Sequence, residues 1–188
     1  MLEIRTHGRG GQGSVIASEI LADAFFHEGK FVQAFPAFGA ERRGAPVTAF
    51  VRIDDHPIRL RAQVRTPDYL IVQDDSLLID PGLTKGLKDG GSMLVNSARA
   101  SEEVAQTFGC RALCVPATDM AVEEIGRPIP NTALLAAFLA LTGILPLDAL
   151  ATALKGRFHG DMLARNLKLI ERAAATVPAN AWKETADA

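Results

Sequence analysis

Aromatic residues are sparse and cysteines number two in a chain of 188 residues that is otherwise rich in aliphatic side chains. A single Trp and a single Tyr leave no array of stacking platforms for nucleic-acid bases. Neither sign of charge dominates: the formal net charge is -2, so long-range attraction to nucleic acid or to an anionic membrane is not expected. Cys110 and Cys114 make neither a disulfide framework nor a cluster motif. Along the strand-like run that holds Cys114 they would stand about 13 Å apart, too far to bridge, and they read as small apolar core residues. His7, His27, His56 and His159 show no HExxH or other tight spacing, so no metal site is expected. The opening MLEIRTHG has no apolar stretch after a basic segment and does not read as a signal peptide. The most apolar run, ALLAAFLALTGIL from Ala133, is shorter than a membrane span requires. A cytoplasmic protein without a membrane span or a nucleic-acid partner is expected.

What the chain does have is glycine, concentrated in one place. HGRGGQGS from His7 sets Gly8, Gly10, Gly11 and Gly13 between a strand-like LEIRTH and a helical pattern from Ser14. Glycines at a strand-to-helix turn permit positive φ, allow close backbone approach and expose the first helical N–H groups. Those donors and the helix dipole suit a phosphate or carboxylate, and Arg9 and Gln12 add charge and an amide. The same glycines can serve packing alone. The spacing matches G-x-G-x-x-G, yet the acid that should close the second strand and hold a ribose is lacking: FVQAF from Phe31 ends without one, and the next carboxylate is Glu41. No lysine–serine pair follows the glycines, which also removes a Walker-type ATPase. Ser14 reads as a helix N-cap, and His7 is the best-placed titratable group.

Around that turn the pattern is α/β. A β–loop–α–β opening of the doubly wound kind leads to a loop dense in Gly, Pro and charge, PAFGAERRGAP from Pro36. Within it Arg42 and Arg43 can hold a phosphate, clamp another chain or simply face solvent. Val47–Ile53 and Ile58–Arg61, joined by the turn-like DDHP, read as an antiparallel hairpin, which would put Arg59 and Arg61 on one face. DYLIVQ, SMLVNS and RALCVPA read as buried strands, with Asp74, Asp75, Asn96 and Ser97 at strand ends. Three helical segments follow, NTALLAAFLALTG, PLDALATALKGRF and MLARNLKLIERAA. The expectation is a single Rossmann-like three-layer domain with a mixed sheet, an antiparallel hairpin and a helical C-terminal third. The Ala-rich tail beyond Pro178 is expected to fray. No nucleophile–base–orienter set emerges from this order of residues, so no catalytic residue is assigned.

Three separated motifs, RTHGRGGQG from Arg5, QAFPAFGAERRGAPVTAFVRIDD from Gln33 and HPIRLRAQVRTPDYLIVQD from His56, arrive in one order over most of the chain. In these, and in NTALLAAFLALTG and ARNLKLIERA, the sequence resembles the gamma subunit or domain of the pyruvate/2-ketoisovalerate:ferredoxin oxidoreductase family. The resemblance implies a gamma-type domain over residues 1–178 with a tail at 179–188. It implies a complex that converts a 2-oxoacid and coenzyme A into acyl-CoA and CO2, with pyruvate, branched-chain or aryl substrates such as phenylglyoxylate. It also implies alpha, beta and ferredoxin-like delta partner subunits, and in some relatives an FAD/NAD-binding subunit, with ferredoxin or NAD as acceptor. Thiamine diphosphate with Mg2+ and [4Fe-4S] clusters would then belong to the complex, none held solely by this chain, and the isolated chain would be inactive. Gly8, Arg9, Gly10, Gly11, Gln12, Gly13, Arg42 and Arg43 are the positions carried over as cofactor-binding or interface elements. The competing readings are a noncatalytic assembly subunit and an autonomous nucleotide-binding oxidoreductase.

Overall fold

The computed structural model describes residues 1–37 and 44–183. Six strands form one mixed sheet in the order β2-β3-β1-β4-β5-β6. They are β1 (Leu2–Arg9), β2 (Phe31–Pro36), β3 (Pro46–Asp54), β4 (Tyr69–Val72), β5 (Ser92–Asn96) and β6 (Arg111–Val115). Pairs β1/β4, β4/β5 and β5/β6 are parallel, whereas β3 runs antiparallel to both β1 and β2. β2 therefore runs parallel to β1 with β3 threaded between them. Chain connections leave β1 toward β2 and leave β4 toward β5, which makes the crevice between β1 and β4 the switch point where α/β sheets place ligands.

One face of the sheet is covered by α1 (Ser14–His27), α3 (Ala117–Ile125), α4 (Asn131–Thr142), α5 (Leu147–Lys155) and α6 (Gly160–Ala175). Every residue of α4 except Ala140 is buried, as an all-round apolar helix must be when it lies between a sheet and other helices. The opposite face carries α2 (Ser101–Phe108), a 3-10 turn (Asp75–Ile79) and irregular chain. Cys110 and Cys114 pack against the apolar cluster on this side, and burial pushes both thiols up.

The three-layer α/β architecture is as expected, with two differences in detail. Ile58–Arg61 is not a strand, and the antiparallel partner of β3 at the hairpin is β2. Both edges of β3 are already paired, by β1 and β2, so the chain after His56 cannot fold back alongside it. It crosses the face of the sheet instead, where Gln33 Nε2 donates to the Ile58 carbonyl at 3.1 Å. Arg59 and Arg61 accordingly share no strand face; both are exposed.

Fraying does not begin at Pro178 either. Trp182 is buried, stacked on Tyr69 with ring centroids 6.2 Å apart. The Asn180 and Trp182 amides donate to the Ala140 and Leu141 carbonyls, satisfying the C-terminal end of α4. The large indole outweighs the alanine-rich composition around it.

Candidate functional site

The switch-point crevice is bridged by side chains of the glycine turn. Gln12 Oε1 accepts from the Arg9 backbone N–H at 2.7 Å, and its Nε2 donates to Asp74 Oδ2 at 2.6 Å. Arg9 donates through Nε and Nη2 to Ser76 Oγ at 3.0 and 2.8 Å, and through Nη1 to the Gly44 carbonyl at 3.0 Å. Burial alone would raise the Asp74 carboxyl. Hydrogen bonds from Ser76 and Gln12, with the Arg9 guanidinium close by, outweigh it and hold the group below the usual carboxylate range. Asp74 therefore stays ionised and ties β4's end to the turn after β1.

Two of the four glycines are required by backbone conformation. Gly11 and Gly13 have φ of +99 and +80, a region that side chains disfavour. Gly8 is required by space, since a Cβ there would lie 2.2 Å from Ser14 Oγ. The backbone of Gly10 is tied to the start of β3, donating to Ala45 and accepting from Gly44. Gly13, not Ser14, occupies the N-cap of α1. Ser14 is instead the first helical residue, buried, and its hydroxyl donates to Gln73 Oε1 at 3.1 Å.

Beside this turn opens a cleft of about 400 Å³. The N-terminus of α1 enters it, and so does the N-terminus of α4 through Asn131. Neither helix has an acidic residue in its first turn or a cap from the preceding side chain; Asn131 Oδ1 accepts only from the Thr132 N–H, at 2.8 Å, so both positive ends face the cleft without a counter-charge. Asn131 is 5% exposed, and its Nδ2 stands 2.9 Å from where a Gly13 side chain would begin. Ile16, Val47, Ile129, Phe158 and Met162 give the cleft an apolar wall, with Arg9 and Arg127 also lining it. Such a shape takes an anionic group against the helix ends and an apolar body along the wall.

Gly8, Arg9, Gly10, Gly11, Gln12 and Gly13 thus come together around one turn, joined by Asp74 and Ser76. Arg42 and Arg43 lie outside the described residues, although Gly44 and Ala45 next to them pair with Gly10. Asn96 is spent on the Gln73 carbonyl and Thr118, and Ser97 on Asp75. His7 faces the other side of the sheet. Sequence reasoning missed Asn131, Arg127 and Gln73. A polar residue heading an otherwise apolar helix was the available signal for Asn131. Among the described residues no group of three or more His, Cys, Asp or Glu is placed to hold a metal ion, and no helix is long and apolar enough to cross a membrane.

Comparison with known proteins extends this picture over nearly the whole chain. A family model described as pyruvate ferredoxin/flavodoxin oxidoreductase matches residues 3–176. The pyruvate/ketoisovalerate oxidoreductases common subunit gamma of Thermococcus kodakarensis is 52% identical over 177 residues, covering 92% of this chain and 95% of the relative. The pyruvate synthase subunit PorC of Methanosarcina barkeri is 52% identical over 155 residues, covering 82% of this chain and 85% of the relative. The crystal structure of the pyruvate oxidoreductase subunit PORC from Thermotoga maritima superposes with a TM-score of 0.84 at 41% identity, covering 93% of this chain and 95% of that one.

Proposed function

The chain belongs to the pyruvate ferredoxin/flavodoxin oxidoreductase family, and from that premise we propose that it serves as the gamma subunit of a thiamine diphosphate-dependent complex. The complex converts a 2-oxoacid, coenzyme A and an oxidised acceptor into acyl-CoA, CO2 and the reduced acceptor. Pyruvate and branched-chain 2-oxoacids are the favoured substrates, because the relatives at 52% identity carry pyruvate and ketoisovalerate in their names. Alpha, beta and ferredoxin-like delta subunits are the proposed partners, with ferredoxin as acceptor. The setting is the cytoplasm.

Within that complex this chain's part is to receive coenzyme A. One observation carries the reading: two helix N-termini converge, without any first-turn acid, on a cleft with an apolar wall. Anionic groups of the coenzyme would meet the N–H groups at the heads of α1 and α4 and the Asn131 amide, and an uncharged arm would lie along Ile129, Phe158 and Met162. The thiamine group, when bound in the complex, supplies an electron sink for decarboxylation. The described residues do not fit it: Asp74, the carboxylate tied to the glycine turn, is committed to Gln12 and Ser76, and among the described residues no carboxylate lines the cleft to hold a metal diphosphate. Arg9 works as a strut, since three of its N–H donors are engaged by Ser76 and Gly44.

The test is the purified native complex assayed with a panel of 2-oxoacids and coenzyme A. Asn131→Asp keeps the side-chain shape and places a carboxylate at the cleft. It should raise the KM for coenzyme A by about tenfold or more, roughly 1.4 kcal/mol, while the KM for the 2-oxoacid stays put. Arg127→Ala should act in the same direction more weakly. An unchanged coenzyme A KM in an intact complex rejects the coenzyme role for this cleft. Loss of subunit association with unchanged constants in whatever assembles points to the noncatalytic assembly role instead.

A further inference from the structure

The opposite face of the sheet holds a second cavity of about 480 Å³, independent of the coenzyme cleft. Its floor is Arg5 and His7 of β1 with Thr48 and Phe50 of β3, and its cover comes from the chain between Gln63 and Gly86. Arg5 is half-buried and its guanidinium is held from two sides. Nε donates to His7 Nε2 at 2.9 Å, and Nη2 donates to the Leu83 and Lys85 carbonyls at 2.8 and 3.0 Å. These partners are all neutral. Among the described residues no carboxylate stands within ion-pair distance of Arg5, in contrast to Arg52 on the adjacent strand β3, which pairs with Glu3 at 2.7 Å. A desolvated guanidinium with neutral partners retains an uncompensated charge, and such charges are normally matched by an anion.

The donors left over point the same way. Because His7 Nε2 accepts from Arg5, the ring proton sits on Nδ1. Neither His7 Nδ1 nor Arg5 Nη1 has a partner among the described residues, and neither is sealed from solvent. Arg65 and Lys85 add positive charge to the lining, against the single carboxylate of Asp80, whose Oδ1 already accepts from the Gly82 N–H. We propose that this cavity binds a small anion, which sets carboxylate or phosphate oxygens against Arg5 Nη1 and His7 Nδ1. A guanidinium fixed by two backbone carbonyls and an imidazole presents its free edge without further ordering, as a preformed oxyanion site should.

The experiment follows the histidine ring resonances of the full chain during titration with inorganic phosphate and, separately, acetate, at constant pH and ionic strength. His27, His56 and His159 are exposed and serve as internal controls. The His7 signal should move saturably with one of the two anions at millimolar concentration or below, while the controls do not. Whichever anion saturates identifies the source of the oxygens. Arg65→Ala combined with Lys85→Ala alters only exposed side chains and should weaken binding by about tenfold while leaving the fold intact. Arg5→Lys keeps the charge and removes the fork, and should abolish saturation. A His7 response that stays linear into tens of millimolar, or is unaffected in the double variant, overturns the proposal. So does its disappearance in the assembled complex without added anion, because a partner side chain would then fill the cavity.

Discussion

The two faces of this sheet solve burial in opposite ways. On the α1 and α4 side, β1 and β3 present Ile4, Val51 and Ile53 to one continuous apolar cluster. On the reverse side the same strands, one residue out of step, present Glu3, Arg5, His7 and Arg52. Period-2 alternation makes this inevitable once the register is set. The first face is held by contact area, and its parts tolerate substitutions that conserve volume. The second is held by directional pairs whose partners must all be present. Glu3 with Arg52 and Arg5 with His7 are such pairs, and the Arg52 guanidinium also lies over the Phe35 ring at 5.4 Å. The same strands thus carry structural cohesion on one side and retain uncommitted polar donors on the other.

The sharpest test of this contrast is the Glu3–Arg52 pair, whose side chains are 11% and 3% exposed. Glu3→Gln leaves a buried guanidinium without its counter-charge, and denaturant unfolding should show a loss of about 3–5 kcal/mol. Replacing both partners, Glu3→Leu with Arg52→Met, should recover to within about 1 kcal/mol of the parent or exceed it. On the apolar face the neighbouring Ile4→Val should cost only about 0.5–1.5 kcal/mol. If Glu3→Gln proved as mild as Ile4→Val, the two faces would not differ in kind.

That difference bears on what could be seen from residues alone. The β1–glycine turn–α1 unit was legible because its signals are local: a short apolar strand, four clustered glycines and a 3.6-residue apolar period. The buried character of α4 was legible for the same reason. α2 was not, since only Val104 among its residues is buried and one position makes no period. Ile58–Arg61 was misread because alternation reports a strand-like pattern but not whether a sheet edge is free. The cleft was half legible. Gly13 announces itself, whereas Asn131 reaches it only through the packing of α4, and no spacing rule links positions so far apart. No local signal marked the surroundings of Arg5; its neutral partners, the Leu83 and Lys85 carbonyls, are invisible without the fold.

His7 sharpens the comparison further by pH. Burial and the adjacent Arg5 charge lower its pKa to about 4, against an opposing pull from Asp80. In the unfolded chain the ring titrates near 6.5. The unfolded state therefore binds more protons between these values, so stability is full above about 6.5 and falls as pH drops toward 4. The loss from this group is at most about 3–4 kcal/mol, the free-energy equivalent of moving from 6.5 to about 4. Urea unfolding of the parent and of His7→Gln across pH 4–7 should show a smaller slope in the variant. Equal slopes would mean that carboxylates, and not the polar face at His7, set the acid sensitivity.

Smaller effects than those at the ion pair and at His7 are expected at the glycine turn. Gly11 and Gly13 both have positive φ, but their surroundings differ. A Cβ on Gly11 would meet nothing within 4 Å, whereas one on Gly13 would sit 2.9 Å from Asn131 Nδ2 at the head of α4. Gly11→Ala should therefore cost only its backbone strain, about 1 kcal/mol. Gly13→Ala carries the same strain and must also displace an amide on the best-packed helix, for a total of about 2 kcal/mol. Function should separate them more clearly than stability. Displacing Asn131 disturbs the cleft between the two helix N-termini, so Gly13→Ala should weaken coenzyme A binding in the complex and Gly11→Ala should not. Equal effects of the two substitutions on both stability and coenzyme affinity would show that the turn acts through its backbone alone, with no contribution from its contact with α4.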